Sequence, residues 1–213
     1  MVRKPVFTRD EIVAASLQVV RQDGLEMLSA RRVAEELGSS TAPVYSNFRN
    51  MEDLECEVKS TMVDLLLYYA RQHVTEDAFL DMGYGVLRFA RQEPRLYAAL
   101  FLGPVTGCDP GSKVMERLLE DMAEIPKLAE LTPVERIIVL NKMAIFTHGL
   151  AVELCQGRTD DLHEKVLYKL MAETGEAIVA DASTRPERSP DDVALFASLC
   201  QKSTGCAGDE SDV

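Results

Sequence analysis

Residues 29–49 concentrate side chains able to meet a nucleic acid: the hydroxyls of Ser29, Ser40, Thr41 and Ser46, the phenol of Tyr45, the amide of Asn47, and the guanidinium groups of Arg31, Arg32 and Arg49. Hydroxyls and helix N-terminal amides suit phosphate oxygens, and arginine suits a guanine edge. Such groups need a scaffold that presents them. A helix-turn-helix unit needs a small residue where its two helices nearly touch, a glycine four positions on, and an aliphatic anchor six positions after that. Ala34, Gly38 and Val44 stand at those offsets, with Val33, Leu37 and Phe48 placed to close the unit. The same spacing also fits two ordinary helices joined by a glycine turn.

Other chemistries find little support. No paired carboxylates, nucleophile elbow or metal-ligand cluster occurs at usable spacing. Gly83-Tyr84-Gly85 lacks the third glycine and the preceding strand of a nucleotide loop. His148 is isolated on an apolar stretch, which suits a hydrogen-bonded core or interface group better than a metal ligand or switch. The five cysteines, at 56, 108, 155, 200 and 206, are odd in number and contain no CxxC, so the expectation is neither a disulfide framework nor a zinc site. With no apolar run near the ~18 residues of a membrane span and no apolar leader after Met1, a reduced cytoplasmic protein is expected.

The net charge of −12 over 213 residues argues against phosphate binding until it is divided along the chain. Residues 1–50 hold seven basic and six acidic side chains, whereas the remaining 163 hold 16 and 29. The acidity lies almost wholly outside the segment that carries the motif.

The elements that must position it read as helices throughout. Thr8-Arg9-Asp10-Glu11 is a capping box for a helix ending near Asp23-Gly24. Ser29 caps a helix closed by Gly38, Ser39 or Ser40 caps a third running to Phe48, and a long helix covers about 52–73. Helices follow at about 75–92, 94–102, 110–124, 133–155 and 161–182. A short one follows Ser189-Pro190, and residues 203–213 form a frayed acidic tail. Asp109-Pro110 and Thr132-Pro133-Val134-Glu135 supply the caps of the third and fourth of these. Sustained period-two alternation is absent, so the fold class is all-α.

Residues 8–54 resemble the N-terminal DNA-binding domain of the TetR/AcrR family of bacterial transcriptional regulators. The resemblance rests on Asp23-Gly24, Leu28-Ser29-Ala30-Arg31-Arg32-Val33-Ala34, Leu37-Gly38, Val44-Tyr45, Phe48-Arg49-Asn50 and Asp53-Leu54. It implies a DNA-binding head at 1–50, a helical effector-binding and dimerisation domain at 51–202, and a flexible tail at 203–213. It further implies a cytoplasmic homodimer on a palindromic double-stranded operator, with half-sites about 34–36 Å apart.

The residue roles follow position by position. Arg31 matches a position that reads a base edge, and Thr41 and Ala42 open the recognition helix, where small groups touch base edges. Tyr45 matches a tyrosine that bonds a backbone phosphate. Ser29 and Ser40 offer hydroxyls and amides to phosphate, Arg3 and Lys4 form a basic arm, and Ser46, Asn47 and Arg49 complete the expected interface. Asn47 and Met51 replace a histidine and a lysine common in the family, which should lower the salt dependence, with Arg49 compensating in part. Pro43 is tolerated because it lies in the first helical turn. Tyr45 can alternatively pack between helices, and one of Arg31 and Arg32 can be a solvated face.

For the larger domain, the resemblance places dimerisation on the helices near 133–155 and 161–182, where Ala144, Gly149 and Ala151 permit close approach or, equally, packing within the chain. Met62, Phe89, Tyr97, Phe101, Met115 and Phe146 are candidate walls of a small-molecule pocket, each also readable as plain core. No cofactor and no metal are expected. The implied function is a repressor released by a small effector. The alternatives are a DNA-binding regulator governed by a protein partner or lacking an inducer, and a helical enzyme or carrier.

Overall fold

A computed structural model describes residues 7–103, 108–158 and 163–184. Ten α-helices make up the described regular structure: α1 (Arg9–Asp23), α2 (Ala30–Glu36), α3 (Ala42–Asn47), α4 (Met51–Ala70), α5 (Ala78–Gln92), α6 (Pro94–Phe101), α7 (Pro110–Ala123), α8 (Pro126–Ala129), α9 (Pro133–Cys155) and α10 (Glu164–Thr184), with a 3-10 turn at Leu25–Met27. The all-α expectation holds. Arg3 and Lys4, the helix expected after Ser189 and the tail at 203–213 lie outside the described residues.

The caps explain most boundaries. Thr8 and Thr132 each form the reciprocal capping box, with Glu11 and Glu135 reaching back to the cap amide. The Asp109 carboxylate accepts from the Gly111 and Ser112 amides, and Pro110 fills the first turn of α7. Two expected helix starts shift. The helix expected from about residue 75 begins after Asp77, because the Asp77 carboxylate accepts from the Phe79 and Leu80 amides while the Thr75 hydroxyl bonds Asp81. Thr41, rather than Ser39 or Ser40, precedes α3 and makes no side-chain cap, while the Ser39 hydroxyl donates to the Ser40 carbonyl. Helix α4 is shorter than expected, ending at Ala70, and α8 was not anticipated.

The core runs without a break from α1 to α10. Ile12 and Val20 of α1, Val33 of α2, Val44 and Phe48 around α3, and Leu54 and Val58 of α4 form its upper part. Leu66, Leu87, Leu96, Val139 and Met171 continue it through the larger half. Helix α4 is thus shared by both halves. Its far end meets α5 so closely that a Cβ at Gly85 would lie 2.6 Å from Ala70 Cα, leaving room only for glycine. Helix α9 is long and apolar enough, by length and composition alone, to cross a membrane. Ile138, Val139, Met143 and Ala151 of that helix are buried in the protein core.

One expectation is corrected outright. Cys56 of α4 and Cys108, two residues before α7, form a disulfide with their Cα atoms 5.7 Å apart. Pairing across 52 residues leaves no local spacing signal, which is why the odd cysteine count pointed the other way.

Candidate DNA-binding head and effector cavity

The first three helices build a small reading unit. The Ser29 hydroxyl accepts from the Arg32 amide at 3.3 Å and fixes the start of α2. Gly38 turns the chain at φ +61°, a conformation that glycine takes without strain. Ala34 and Val44 are buried where α2 meets α3, in agreement with the helix-turn-helix spacing.

Within α3, burial divides the side chains cleanly. Val44 and the following Phe48 point into the core, whereas Ala42, Tyr45 and Ser46, at spacings of three and four, are exposed on another side. Tyr45 is 60 % exposed, so packing between helices does not account for it. Ser40 and Arg49 are also exposed; Ser29, Thr41 and Asn47 are half-buried.

The two adjacent arginines separate. Arg32 pairs with Asp23 and with Glu35, tying α2 to the end of α1. The Arg31 side chain is 87 % exposed and meets only the Glu35 carboxylate, at 3.0 Å, among the described contacts. Arg32 therefore belongs to the scaffold and Arg31 to the surface. Asn47 is also committed inward: its amide donates to the Pro43 carbonyl at 2.9 Å and the Phe7 carbonyl at 3.4 Å. The Ser46 hydroxyl donates to that same Pro43 carbonyl at 2.9 Å, though the residue stays exposed.

Sequence reasoning passed over Arg9 in this region. Its guanidinium donates to the Asn47 carbonyl and the Glu57 carboxylate, both at 2.9 Å, and lies 4.1 Å from the Phe48 ring centroid. It joins α1, the end of α3 and α4. Those contacts span 38 and 48 residues, so nothing local announces them.

In the larger half, a cavity of about 410 Å³ lies among α4, α5, α6, α7 and α9. Of the anticipated wall residues, Tyr97, Phe101 and Met115 line it. Met62, Phe89 and Phe146 are not in its wall. Met62 and Phe89 are fully buried, and Phe89 packs edge-on against Tyr69 with centroids 5.6 Å apart. The polar groups of the wall were not anticipated as such: Asn141 and, about two helical turns further along α9, the adjacent Thr147 and His148.

The Tyr97 hydroxyl and His148 Nδ1 are 2.8 Å apart, and burial pushes the phenol pKa well above its ordinary range. His148 is hence a hydrogen-bonded group, though in a cavity wall. Among the described residues there is no His, Cys, Asp and Glu cluster suited to a metal. A second hollow of about 430 Å³ separates the 3-10 turn from α6, with Glu26, Glu55 and Arg95 in its wall.

The small residues of α9 divide as well. Ala151 is fully buried within the protomer, and Ala144 lines the cavity. Gly149 is exposed, and a Cβ built there would meet nothing within 4 Å.

No family model matches the chain. Over 112 residues it is 25 % identical to an uncharacterized HTH-type transcriptional regulator of Mycobacterium tuberculosis, a match covering 51 % of each chain. Over 42 residues it is 50 % identical to the HTH-type transcriptional repressor DrrR1 of Streptomyces coeruleorubidus, covering 20 % of this chain and 16 % of that one. The chain thus spans about half the length, or less, of these curated relatives. Among solved structures, the fatty acid degradation regulator FadR of Bacillus halodurans shares the fold with a TM-score of 0.53 at 14 % identity, over 81 % of this chain and 98 % of that one.

Proposed function

We propose that this chain, a TetR/AcrR-type regulator by fold and by its helix-turn-helix head, is a homodimeric repressor that leaves a palindromic operator when a small molecule enters the larger half. The observation that carries the reading is the sorting of side chains on α2 and α3. Arg31, Ala42, Tyr45 and Ser46 are exposed, while Val44, Phe48 and the ion-paired Arg32 fix the helix that bears them. A reading head needs this combination of rigid support and free polar surface.

Dimerisation is supported by apolar surface that the described residues leave uncovered. On α10, Val166, Leu170, Ala177 and Ala180 are exposed at heptad-like spacing, and on α9 Ile145 is 68 % exposed one turn from the open Gly149. A small-residue gap beside apolar groups suits close helix packing against a second copy. Pairing through α9 and α10 would hold two heads at a fixed separation, so a symmetric site follows from a symmetric dimer.

Release follows from the cavity's walls. Leu66 lies on α4, and Tyr97 and Phe101 lie on α6. Helix α4 runs into the head, and α6 is tied to α1 through the neighbouring Glu93. An occupant that binds one arrangement of these helices better than another shifts the heads and, by linkage, loses affinity when DNA is bound.

Selection from a pool of randomised duplexes tests the proposal. Enrichment of an inverted repeat with half-sites about one helical turn apart is expected; enrichment of no sequence at all overturns it.

A further inference from the structure

The cavity wall is unusual in what it omits. Among the described residues, none of its lining side chains is Asp, Glu, Lys or Arg. Phe79, Met82, Val86, Phe101, Val114 and Leu118 are among its apolar walls, against which an unpaired ionic group would lose its hydration without compensation. The polar groups are few and partly spent. Asn141 donates its amide to the Ile137 carbonyl at 2.8 Å, and the Thr147 hydroxyl lies 3.8 Å from Met171 Sδ.

His148 is the polar group best held for a ligand. Its ring is stacked on Tyr97 with centroids 6.0 Å apart and meets Phe101 edge-on at 6.3 Å. The Tyr97 phenol is 2 % exposed, and a buried hydroxyl needs a partner for its proton. In the tautomer that lets that O–H donate to His148 Nδ1 across the 2.8 Å contact, Nε2 carries the ring's N–H as a donor. That donor stands in a chamber whose other polar groups, Asn141 and Thr147, are partly spent and whose remaining walls are apolar.

We infer that the cavity takes an uncharged, largely apolar molecule carrying one hydrogen-bond acceptor, a ketone-like or ester-like group held by His148 and oriented by Tyr97. The inference rests on the effector-release reading for its regulatory meaning, but the ligand chemistry stands on the cavity alone. A volume of about 410 Å³ suits a compact molecule with an aromatic or short aliphatic body. Carboxylates, phosphates and quaternary ammonium groups find no counter-charge among the described wall residues.

Four probes of one skeleton test this by calorimetric titration and thermal shift on the full-length protein: 4-butylacetophenone, 4-butylbenzoate, 4-butylphenyl-trimethylammonium and the hydrocarbon 1-butyl-4-ethylbenzene. The ketone is expected to bind at least tenfold more tightly than either ion. His148→Ala should weaken the ketone about tenfold while leaving the hydrocarbon within twofold, and Tyr97→Phe should weaken the ketone by a smaller factor. Benzoate or ammonium binding as tightly as the ketone overturns the inference. So does an equal loss of ketone and hydrocarbon in His148→Ala, or binding of none of the four. Operator binding by the same preparations separates the failures. Loss of probe binding with DNA binding intact removes only the ligand class, whereas probe binding without DNA binding removes the regulatory reading.

Discussion

Arg21, near the end of α1, and Glu93, in the turn between α5 and α6, form an ion pair of 2.8 Å whose side chains are only 33 % and 16 % exposed. Arg95 adds a 3.5 Å bond from its guanidinium to the Arg21 carbonyl. The last turn of the first helix is thereby clasped by the start of α6, whose Tyr97 and Phe101 line the cavity. An ion pair with this residual exposure contributes on the order of 1 kcal/mol or less to stability. Its value lies in adding a directional link between the end of α1 and the start of α6, two helices that also pack against each other. Glu93→Gln should therefore leave global stability nearly unchanged while raising amide exchange at Val19–Asp23 and in the 3-10 turn. Hydrogen-exchange mass spectrometry checks this; unaltered exchange there means the clasp does not couple the two elements.

The Cys56–Cys108 disulfide closes a loop of 52 residues between α4 and the approach to α7. By the chain-entropy relation, a loop of that length stabilises by about 4 kcal/mol. Urea unfolding with and without a phosphine reductant should show a drop of that order, and Cys56→Ser should reproduce it with no further response to reductant. A reductant effect that persists in Cys56→Ser points to other cysteines.

Cys155, at the end of α9, is half-buried and its thiol donates to the Ala90 carbonyl at 3.5 Å. Burial pushes its pKa up to about 11. Because the folded value lies above the ordinary one, the native state keeps its proton where the unfolded chain has lost it. This contribution to stability is complete below the ordinary thiol pKa and falls away as pH rises through about 11. Iodoacetamide labelling of the native protein should spare Cys155 at pH 8 and reach it only in strongly alkaline buffer or after unfolding. Peptide mapping reads the site, and fast labelling at pH 8 contradicts the buried thiol.

Leu170 and Val166 stand exposed on one stripe of α10, with no partner among the described residues that would explain two branched apolar groups there. Leu170→Asp should convert a dimer to a monomer in sedimentation while leaving the far-ultraviolet helical signal intact, since Leu170, 37 % exposed, lies on the outer stripe of α10. A variant that sediments as the parent does excludes this stripe from the interface.

The parts of the molecule legible in the sequence are those whose physics is local. The capping boxes at Thr8 and Thr132 and the Asp109-Pro110 start satisfy orphan amides within three residues, so spacing alone locates them. Ala34, Gly38 and Val44 were legible for the same reason. What escaped is non-local or degenerate. Ser39, Ser40 and Thr41 offer three hydroxyls in a row, and spacing does not rank them. The Tyr97–His148 contact spans 51 residues, the Arg21–Glu93 pair 72 and the disulfide 52, separations fixed only once the helices pack. Met62 and Phe89 shared the chemistry of cavity residues but not their position, because composition says which side chains suit an apolar wall and not which ones face the void.

The head carries the central claim, and Arg31 and Tyr45 are two of its exposed groups. Fluorescence anisotropy on the duplex enriched by selection measures their part directly. Arg31→Ala should weaken operator binding about tenfold or more, as loss of a bidentate base contact costs about 1–3 kcal/mol, and should relax preference at one position of each half-site. Tyr45→Phe should weaken all duplexes alike, because a phosphate contact carries no sequence information. Affinity within twofold of the parent for both variants, on the operator and on a scrambled duplex, would contradict the assignment of this surface to DNA.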